Sequence, residues 1–218
     1  MTSITLTGAG GFALPAYRAD PQGAPLGGVV VIQEIFGLTP HIKAMADRCA
    51  AAGYVAIAPA LFERIEAGFD ADHDGPGIEK GRNAVMATPF DQVAADLQAA
   101  IDALPQPCYV TGFCYGGAMS WLAAARCTGL KAASCFYGRI IVDLLDQKPK
   151  CPVMLHYGAR DPSIPPENVE RVRLAAPDSP LYLYDAGHGF CRAGSHDYNE
   201  AACDLAFTRT LDWFARWR

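Results

Sequence analysis

The sequence has no long hydrophobic run and no excess of basic residues. Its longest aliphatic run in the N-terminal half covers residues 29–32, far too short to span a bilayer. Residues 1–20 show no basic segment followed by an apolar stretch, so we expect no signal peptide. A net charge of −5 argues against a protein that binds nucleic-acid backbones. These absences predict a cytoplasmic protein with neither a membrane nor a nucleic-acid partner.

A C-x-x-C pair and a complete calcium-binding loop are also missing from the sequence. The chain has eight cysteines but no C-x-x-C pair, and without a secretion signal we expect reduced thiols, most of them in the core. Residues 70–75 (DADHDG) imitate the start of a calcium loop. Its twelfth position is Gly81, however, where a bidentate glutamate is required. We therefore predict no metal site.

Apolar runs alternate with helical patterns along the whole chain. With 51% hydrophobic and 19% charged residues in 218, the sequence predicts one domain over residues 1–218. Predicted strands lie at 29–33, 55–58, 109–111, 131–137, 153–157 and 181–184. Predicted helices lie at 40–52, 90–104, 115–127, 167–175 and 197–217, the last starting at Ser195, whereas 67–81 is predicted to be a surface loop. This order predicts a doubly wound, mainly parallel sheet with helices on both faces.

The strongest motif is residues 112–117 (GFCYGG), between an apolar strand and an alanine-rich helix. Cys114 has a glycine two residues before and two residues after it, as in the G-x-S-x-G nucleophile elbow with sulfur replacing oxygen. Small neighbours are needed because the central residue occupies a strained turn and its side chain points outward. The helix N-terminus favours a thiolate and offers the Tyr115 amide to a developing oxyanion. The alternative is a buried cysteine before a tightly packed helix.

A cysteine nucleophile needs a base, and the chain has five histidines. His188 lies in a glycine-containing loop directly after the last predicted strand, where a base is expected. Its rival, His196, opens the last predicted helix. Of the other three, His156 is predicted to be a core residue, and His41 and His73 are predicted to be solvated.

An acid that orients the histidine should come from a loop between the two. Asp161 directly follows the penultimate predicted strand. The order Cys114, Asp161, His188 is the chain order of α/β-hydrolase triads. We interpret these residues as nucleophile, orienting acid and general base.

Six short motifs carry a resemblance to a known family over nearly the whole chain. They are residues 33–38 (QEIFGL), 58–62 (APALF), 112–117 (GFCYGG), 136–138 (FYG), 158–161 (GARD) and 187–190 (GHGF). On these motifs the chain resembles the dienelactone hydrolases, or carboxymethylenebutenolidases, a family of α/β hydrolases. The resemblance implies an enzyme without metal or organic cofactor that opens a dienelactone to maleylacetate in the breakdown of chlorinated aromatics. Residues 65–86, which should roof the pocket, match least.

The resemblance also implies roles for residues around Cys114, Asp161 and His188. Glu34 is a carboxylate that reaches the nucleophile, and the backbone amides of Ile35 and Tyr115 form an oxyanion hole. Four side chains are expected to bind substrate: Arg64 and Arg192 through its carboxylate, together with Phe36 and Tyr137.

Glu34 is a candidate site residue even without the resemblance. It closely follows the apolar run at residues 29–32 and so lies at the carboxyl end of a strand. A carboxylate beside a thiol disfavours the thiolate, so the resting cysteine is expected to stay protonated until substrate disturbs Glu34. The alternative is a surface glutamate that begins a loop. Arg192, four residues after His188, suits bidentate carboxylate binding, although a lone arginine is usually solvated.

Three function classes remain open on this sequence. The first is a lactone or ester hydrolase of the dienelactone type, a monomer acting on a small carboxylate-bearing molecule. The second is a general carboxylesterase or thioesterase on the same scaffold, which differs in what the roof admits. The third is a non-catalytic small-molecule binder or thiol sensor, which a chromogenic ester assay separates from the other two.

Overall fold

A single sheet organises the part of the chain that the computed structural model describes, residues 2–218. Its strands are β1 (Thr2–Thr7), β2 (Ala13–Ala19), β3 (Gly28–Ile32), β4 (Val55–Pro59), β5 (Cys108–Phe113), β6 (Leu130–Phe136), β7 (Val153–Gly158) and β8 (Leu181–Tyr184). The α-helices are α1 (Pro40–Ala51), α2 (Gly75–Ala87), α3 (Phe90–Asp102), α4 (Tyr115–Arg126), α5 (Pro166–Ala175) and α6 (Glu200–Arg216). None of these helices combines the length and apolar character needed to cross a bilayer.

The sheet is mainly parallel, with strand order β1-β2-β4-β3-β5-β6-β7-β8. Neighbours from β4 through β8 pair in parallel, whereas β1 pairs with β2, and β2 with β4, in antiparallel fashion. Every residue of β3, β4, β5 and β7 is buried, as expected for strands covered by helices on both faces. The predicted α/β-hydrolase fold is confirmed.

The strand order places the candidate site. The chain runs from β3 to β4 on one side and then crosses to β5 on the other, so the gap between β3 and β5 is a topological switch point. Ligands of open α/β sheets bind at such a point, beyond the carboxyl ends of the strands. Glu34 follows β3, Cys114 follows β5, Asp161 follows β7 and His188 follows β8.

None of the predicted strands covers the N-terminal hairpin of β1 and β2. The turn between them is closed by the Gly8 amide, which donates to the Phe12 carbonyl at 2.8 Å. In β1 only Leu6 is buried, because this edge strand has a single covered face. The alternation of threonine with Ile4 and Leu6 is a period-two pattern that indicates such a strand.

The predicted surface loop at residues 67–81 is wrong in its second half, which forms the start of α2. Asp74 caps this helix, since its carboxylate accepts a hydrogen bond from the Gly77 amide at 2.8 Å. The last helix, α6, begins at Glu200 rather than near Ser195. Its cap is Asn199, whose side chain accepts a hydrogen bond from the Ala202 amide at 3.1 Å.

The prediction that all the cysteines are reduced thiols is also corrected. Cys191 and Cys203 form a disulfide with their Cα atoms 4.8 Å apart. The pairing joins the loop that carries His188 to α6, two segments that only the folded chain brings together. The other six cysteines are free, and Cys49, Cys108, Cys127 and Cys135 are buried, as expected for small core side chains.

Candidate active site

Cys114 occupies a tight turn between β5 and α4. Its backbone has φ 55° and ψ −113°, a conformation that is strained for any residue with a Cβ. The turn closes tightly because Gly112 and Gly116 have no side chains. A Cβ on Gly112 would collide with the Gly116 carbonyl, and a Cβ on Gly116 would collide with the Ile32 carbonyl. This strand–turn–helix is the context that the elbow pattern predicts.

His188 and Asp161 form a close pair behind this turn. The His188 Nδ1 atom lies 2.6 Å from Asp161 Oδ2, and that carboxylate side chain is completely buried. Burial alone would raise the pKa of Asp161, but hydrogen bonds from His188 and Ser163 outweigh burial and lower it. Burial lowers the pKa of His188, but the Cys114 charge and the Asp161 hydrogen bond outweigh burial and raise it to about 10. The site therefore favours a charged imidazolium at His188, paired with the Asp161 carboxylate.

Ile35 and Tyr115 line the same cavity as Cys114 and carry backbone amides without a partner in the described part of the chain. Tyr115 is the first residue of α4, so the helix itself offers its amide no acceptor. The Ile35 amide donates to no carbonyl within residues 2–218. Its loop is held by Gly37, which forms bridges with Glu34 and with Asp70. Both amides are free to donate to a ligand oxygen.

Glu34 and Arg192 form a partly buried ion pair next to the cavity. Arg192 Nη1 lies 3.3 Å from each carboxylate oxygen of Glu34, whose side chain is wholly buried. The Arg192 guanidinium also lies over the Phe36 ring, 5.3 Å from its centroid. Glu34 is therefore a buried, paired carboxylate and not a solvated surface residue, whereas Arg192 reaches the cavity wall.

The cavity has a volume of about 490 Å³ and two distinct sides. We call the residues that follow the sheet strands the floor: Ile35, Cys114, Tyr115, Ser163 and His188. We call the α2 side chains the roof: Ile78, Arg82, Val85 and Met86. The remaining lining residues are Phe36, Arg139, Ile140, Arg192 and Asp197.

Several of these lining residues are not predicted from the sequence. Arg82 lies on a helix that was predicted in part as a loop, and Arg139 begins a short 3-10 helix, Arg139–Asp143. Neither arginine forms an ion pair with a carboxylate in residues 2–218. Ser163 could have been found from its position two residues after Asp161. The arginines have no such local signal.

Two residues predicted to bind substrate are placed away from the lining of the cavity. Arg64 is ion-paired with buried Asp96, donates to the Ala9 carbonyl at 2.9 Å and stacks on Phe12. It ties the N-terminal hairpin to α3, and its prediction as a carboxylate ligand is corrected. Tyr137 is fully buried, with its ring centroid 5.2 Å from that of His188, so it supports the histidine. Burial, followed by the Glu34 charge, raises the pKa of Tyr137 well above its usual range.

The other histidines take no part in the floor. His156 is a core residue, as predicted, with Nδ1 2.8 Å from the Tyr184 hydroxyl and a pKa that burial lowers to about 3. His41 was predicted to be solvated but is largely covered, and burial lowers its pKa. No group of three or more His, Cys, Asp or Glu side chains within residues 2–218 is arranged to hold a metal ion.

Comparisons with known proteins point to one family. Residues 14–217 match the sequence profile of the dienelactone hydrolase family. A protein of Salmonella typhimurium, provisionally named a carboxymethylenebutenolidase, is 36% identical over 98% of this chain and 87% of its own. Carboxymethylenebutenolidase 1 of Cupriavidus pinatubonensis is 30% identical over 97% and 95% of the two chains. A solved structure, provisionally named a dienelactone hydrolase, from Klebsiella pneumoniae has TM-score 0.87 and 33% identity, covering 99% of this chain and 98% of its own.

Proposed function

Because the chain belongs to the dienelactone hydrolase family, and is therefore a hydrolase of ester or lactone bonds, we propose that it opens carboxylate-bearing lactones through an acyl-enzyme on Cys114. The observation that carries this proposal is the floor. A strained cysteine and a histidine with a raised pKa lie there beside two unpaired amides, and a buried aspartate pairs with the histidine from behind. A binder or thiol sensor would not need that arrangement.

In the proposed reaction, the Cys114 thiol gives its proton to His188 while its sulfur attacks the lactone carbonyl carbon, and the carbonyl oxygen gains negative charge. The amides of Ile35 and Tyr115 donate to this oxygen. The ring carbon–oxygen bond then breaks, and the departing oxygen takes a proton from His188. A water molecule next attacks the thioester while His188 accepts its proton. The carbon–sulfur bond breaks, the departing sulfur takes that proton back from His188, and the thiol is restored with one water added to the substrate.

The charge around the cavity supports an anionic substrate. Arg82, Arg139 and Arg192 all line it, and of these Arg192 is held by Glu34 in the absence of substrate. A substrate carboxylate that binds Arg192 competes with Glu34 for the same guanidinium. Released from that pair, Glu34 becomes an unpaired buried charge beside the site, and its movement or protonation couples substrate binding to activation of the thiol. Carboxylate recognition and thiol activation are then one event.

The test compares the two dienelactone isomers with uncharged short-chain p-nitrophenyl esters. We expect kcat/KM for at least one dienelactone, with maleylacetate as product, to exceed that for the neutral esters by roughly 10²-fold, because only the anion engages Arg192. Equal values for anionic and neutral substrates would overturn the carboxylate part of the proposal. If a Cys114→Ala protein kept both activities, the assignment of Cys114 as the nucleophile would be overturned.

A second candidate function rests on the apolar part of the same cavity. Ile35, Phe36, Ile78, Val85 and Met86 offer a hydrocarbon surface that suits a neutral acyl chain. A carboxylesterase or thioesterase would use the same floor. It is favoured if kcat/KM rises steadily with acyl chain length and the dienelactones are poor substrates.

A further inference from the structure

Ser163 lies in the turn after β7, two residues beyond Asp161, and its side chain lines the cavity. It is half-buried, between the Asp161 carboxylate and the space that a substrate would enter. Its position after Asp161 is its only signal in the sequence, yet its hydrogen bonds are the most numerous of any hydroxyl at the site.

Both donors of Ser163 point to one oxygen of Asp161. The Ser163 amide lies 2.8 Å and its hydroxyl 2.6 Å from Asp161 Oδ1. The other oxygen, Oδ2, lies 2.6 Å from His188 Nδ1. The two oxygens are thus divided between two neighbours, and the carboxylate cannot rotate without losing short hydrogen bonds to both.

The Ser163 hydroxyl oxygen also lies 3.1 Å from His188 Nδ1. Because the hydroxyl proton is committed to Asp161 Oδ1, the Ser163 oxygen faces the imidazole as an acceptor. The Nδ1–H group can then donate to both Asp161 Oδ2 and Ser163 Oγ. This arrangement fixes the tautomer that keeps the proton on Nδ1 and leaves Nε2 to exchange a proton with Cys114.

We propose that Ser163 is a positioning residue, which locks the Asp161 carboxylate and holds His188 in the tautomer and orientation that serve Cys114. The proposal rests on the function proposed above, in which His188 is the base. Ser163 is neutral, so it stabilises the imidazolium without adding a charge that would repel an anionic substrate. The hydrogen bonds from Ser163 also contribute to lowering the pKa of Asp161, which keeps that residue an acceptor.

Other groups around His188 bear on any measurement of its protonation. The titratable or charged side chains near it, from every adjoining element, are Cys114, Tyr137, Asp161, Arg192 and Asp197. None of them is altered in a Ser163 variant, so a change in pH dependence reports on the hydroxyl.

The experiment compares Ser163→Thr with Ser163→Val, which have the same shape but differ in the hydroxyl. Ser163→Ala is a third variant, and Ser179→Ala, in the turn before β8, is the control. For p-nitrophenyl acetate we expect kcat to fall about 3- to 10-fold in the Val and Ala proteins with KM unchanged, as for loss of one hydrogen bond. The Thr protein and the control should stay within twofold of the parent.

The second readout needs no catalysis. Iodoacetamide modification of the peptide containing Cys114 is followed by mass spectrometry against pH, with Cys114→Ala as the blank. Loss of the acceptor at Nδ1 makes the protonated form of His188 less stable, and the Cys114 thiolate beside it is then less stabilised. The midpoint of the alkylation profile should therefore move to higher pH by about half a unit to one unit in the Val and Ala proteins. The Thr protein should keep the parent profile.

The outcomes separate this proposal from the one on which it rests. Parental kcat and an unshifted profile in Ser163→Val would overturn the role of Ser163 and leave the nucleophile untouched. Parental hydrolysis by Cys114→Ala would overturn the proposed function, and this proposal with it. An equal loss in Ser163→Thr and Ser163→Val would show that the site tolerates no change of shape, which also overturns the role of the hydroxyl.

Discussion

The floor and the roof of the cavity are built in different ways. Floor residues lie directly after parallel strands or in turns that the sheet anchors, and they are held in place: Cys114 by its strained turn, and His188 by Asp161, whose carboxylate takes part in three short hydrogen bonds. Roof residues project from α2, and the Met86 side chain there is 77% exposed. The difference separates two tasks, since the floor performs bond breaking on any substrate and the roof meets only what distinguishes one substrate from another.

The largest expected effect lies in the floor. Cys114→Ala should lower kcat/KM for every ester and lactone by roughly 10³-fold or more, since the acyl-enzyme cannot form. Cys49→Ala, in the buried face of α1, is the control and should keep most of the activity. Hydrolysis rates and circular dichroism of both proteins are the measurements. Similar losses in the two folded proteins would abolish the distinction between a catalytic thiol and space-filling ones.

Arg192 contributes both to substrate binding and, through Glu34, to the chemistry of the floor, so its removal tests how the two are linked. Arg192→Ala should raise KM for anionic lactones about 30- to 150-fold, which corresponds to about 2–3 kcal/mol for a charge-assisted contact, and should hardly change KM for neutral esters. Because Glu34 then lacks its partner, kcat should fall for both substrate types. Arg173→Ala, a solvent-exposed pair member on α5, is the control. A uniform rise of KM would mean that Arg192 only packs against Phe36.

Glu34 tests whether the floor is held in an inactive state at rest. Glu34→Gln should lower kcat for anionic lactones about tenfold, yet speed alkylation of Cys114 by iodoacetamide by a similar factor, because a carboxylate near a thiol disfavours its ionised form. Glu167→Gln, an exposed residue of α5, should change neither rate. Alkylation measured against pH checks this directly. If the variant reacts no faster, the role of Glu34 is limited to holding Arg192 and the Ile35 loop.

The smallest effect is expected in the roof. Arg82→Gln should lower kcat/KM for anionic lactones about 2- to 5-fold, as for an exposed charge contact, and leave neutral esters and Cys114 alkylation unchanged. Arg171→Gln on α5 provides the control. A change in alkylation rate would mean that α2 acts on the chemistry itself and would remove the boundary between floor and roof.

The same division explains what the sequence reveals. Apart from Ser163, the floor is predictable because its residues follow short apolar runs, and small residues flank Cys114 and His188. The chain order of Cys114, Asp161 and His188 then suggests their roles. The motif at residues 112–117, however, does not predict the contacts of the Ser163 hydroxyl or the pairing of Glu34 with Arg192. Both depend on loops from distant parts of the chain that meet only in the folded protein.

The helix that forms the roof is not predicted from the sequence, for a local reason. Residues 75–81 contain three glycines and Pro76, a composition that favours a loop over a helix. Close packing requires two of these glycines in the helix, because a Cβ on Gly77 would collide with the Asp72 carbonyl and a Cβ on Gly81 would come within 2.5 Å of the Ile35 carbonyl. The Asp74 cap and the proline in the first turn are the signals that predict a helix start there.

The strained backbone at Cys114 has a consequence for how such a protein changes over generations. A left-handed or related conformation with a Cβ costs on the order of 1–3 kcal/mol, a large share of the net stability of a domain. Selection for thermal robustness alone would therefore replace Cys114 with glycine, which adopts this conformation freely. Laboratory evolution under heat without an activity screen should drift to that inactive sequence, and descendants that keep the thiol must gain their stability at sites outside the turn.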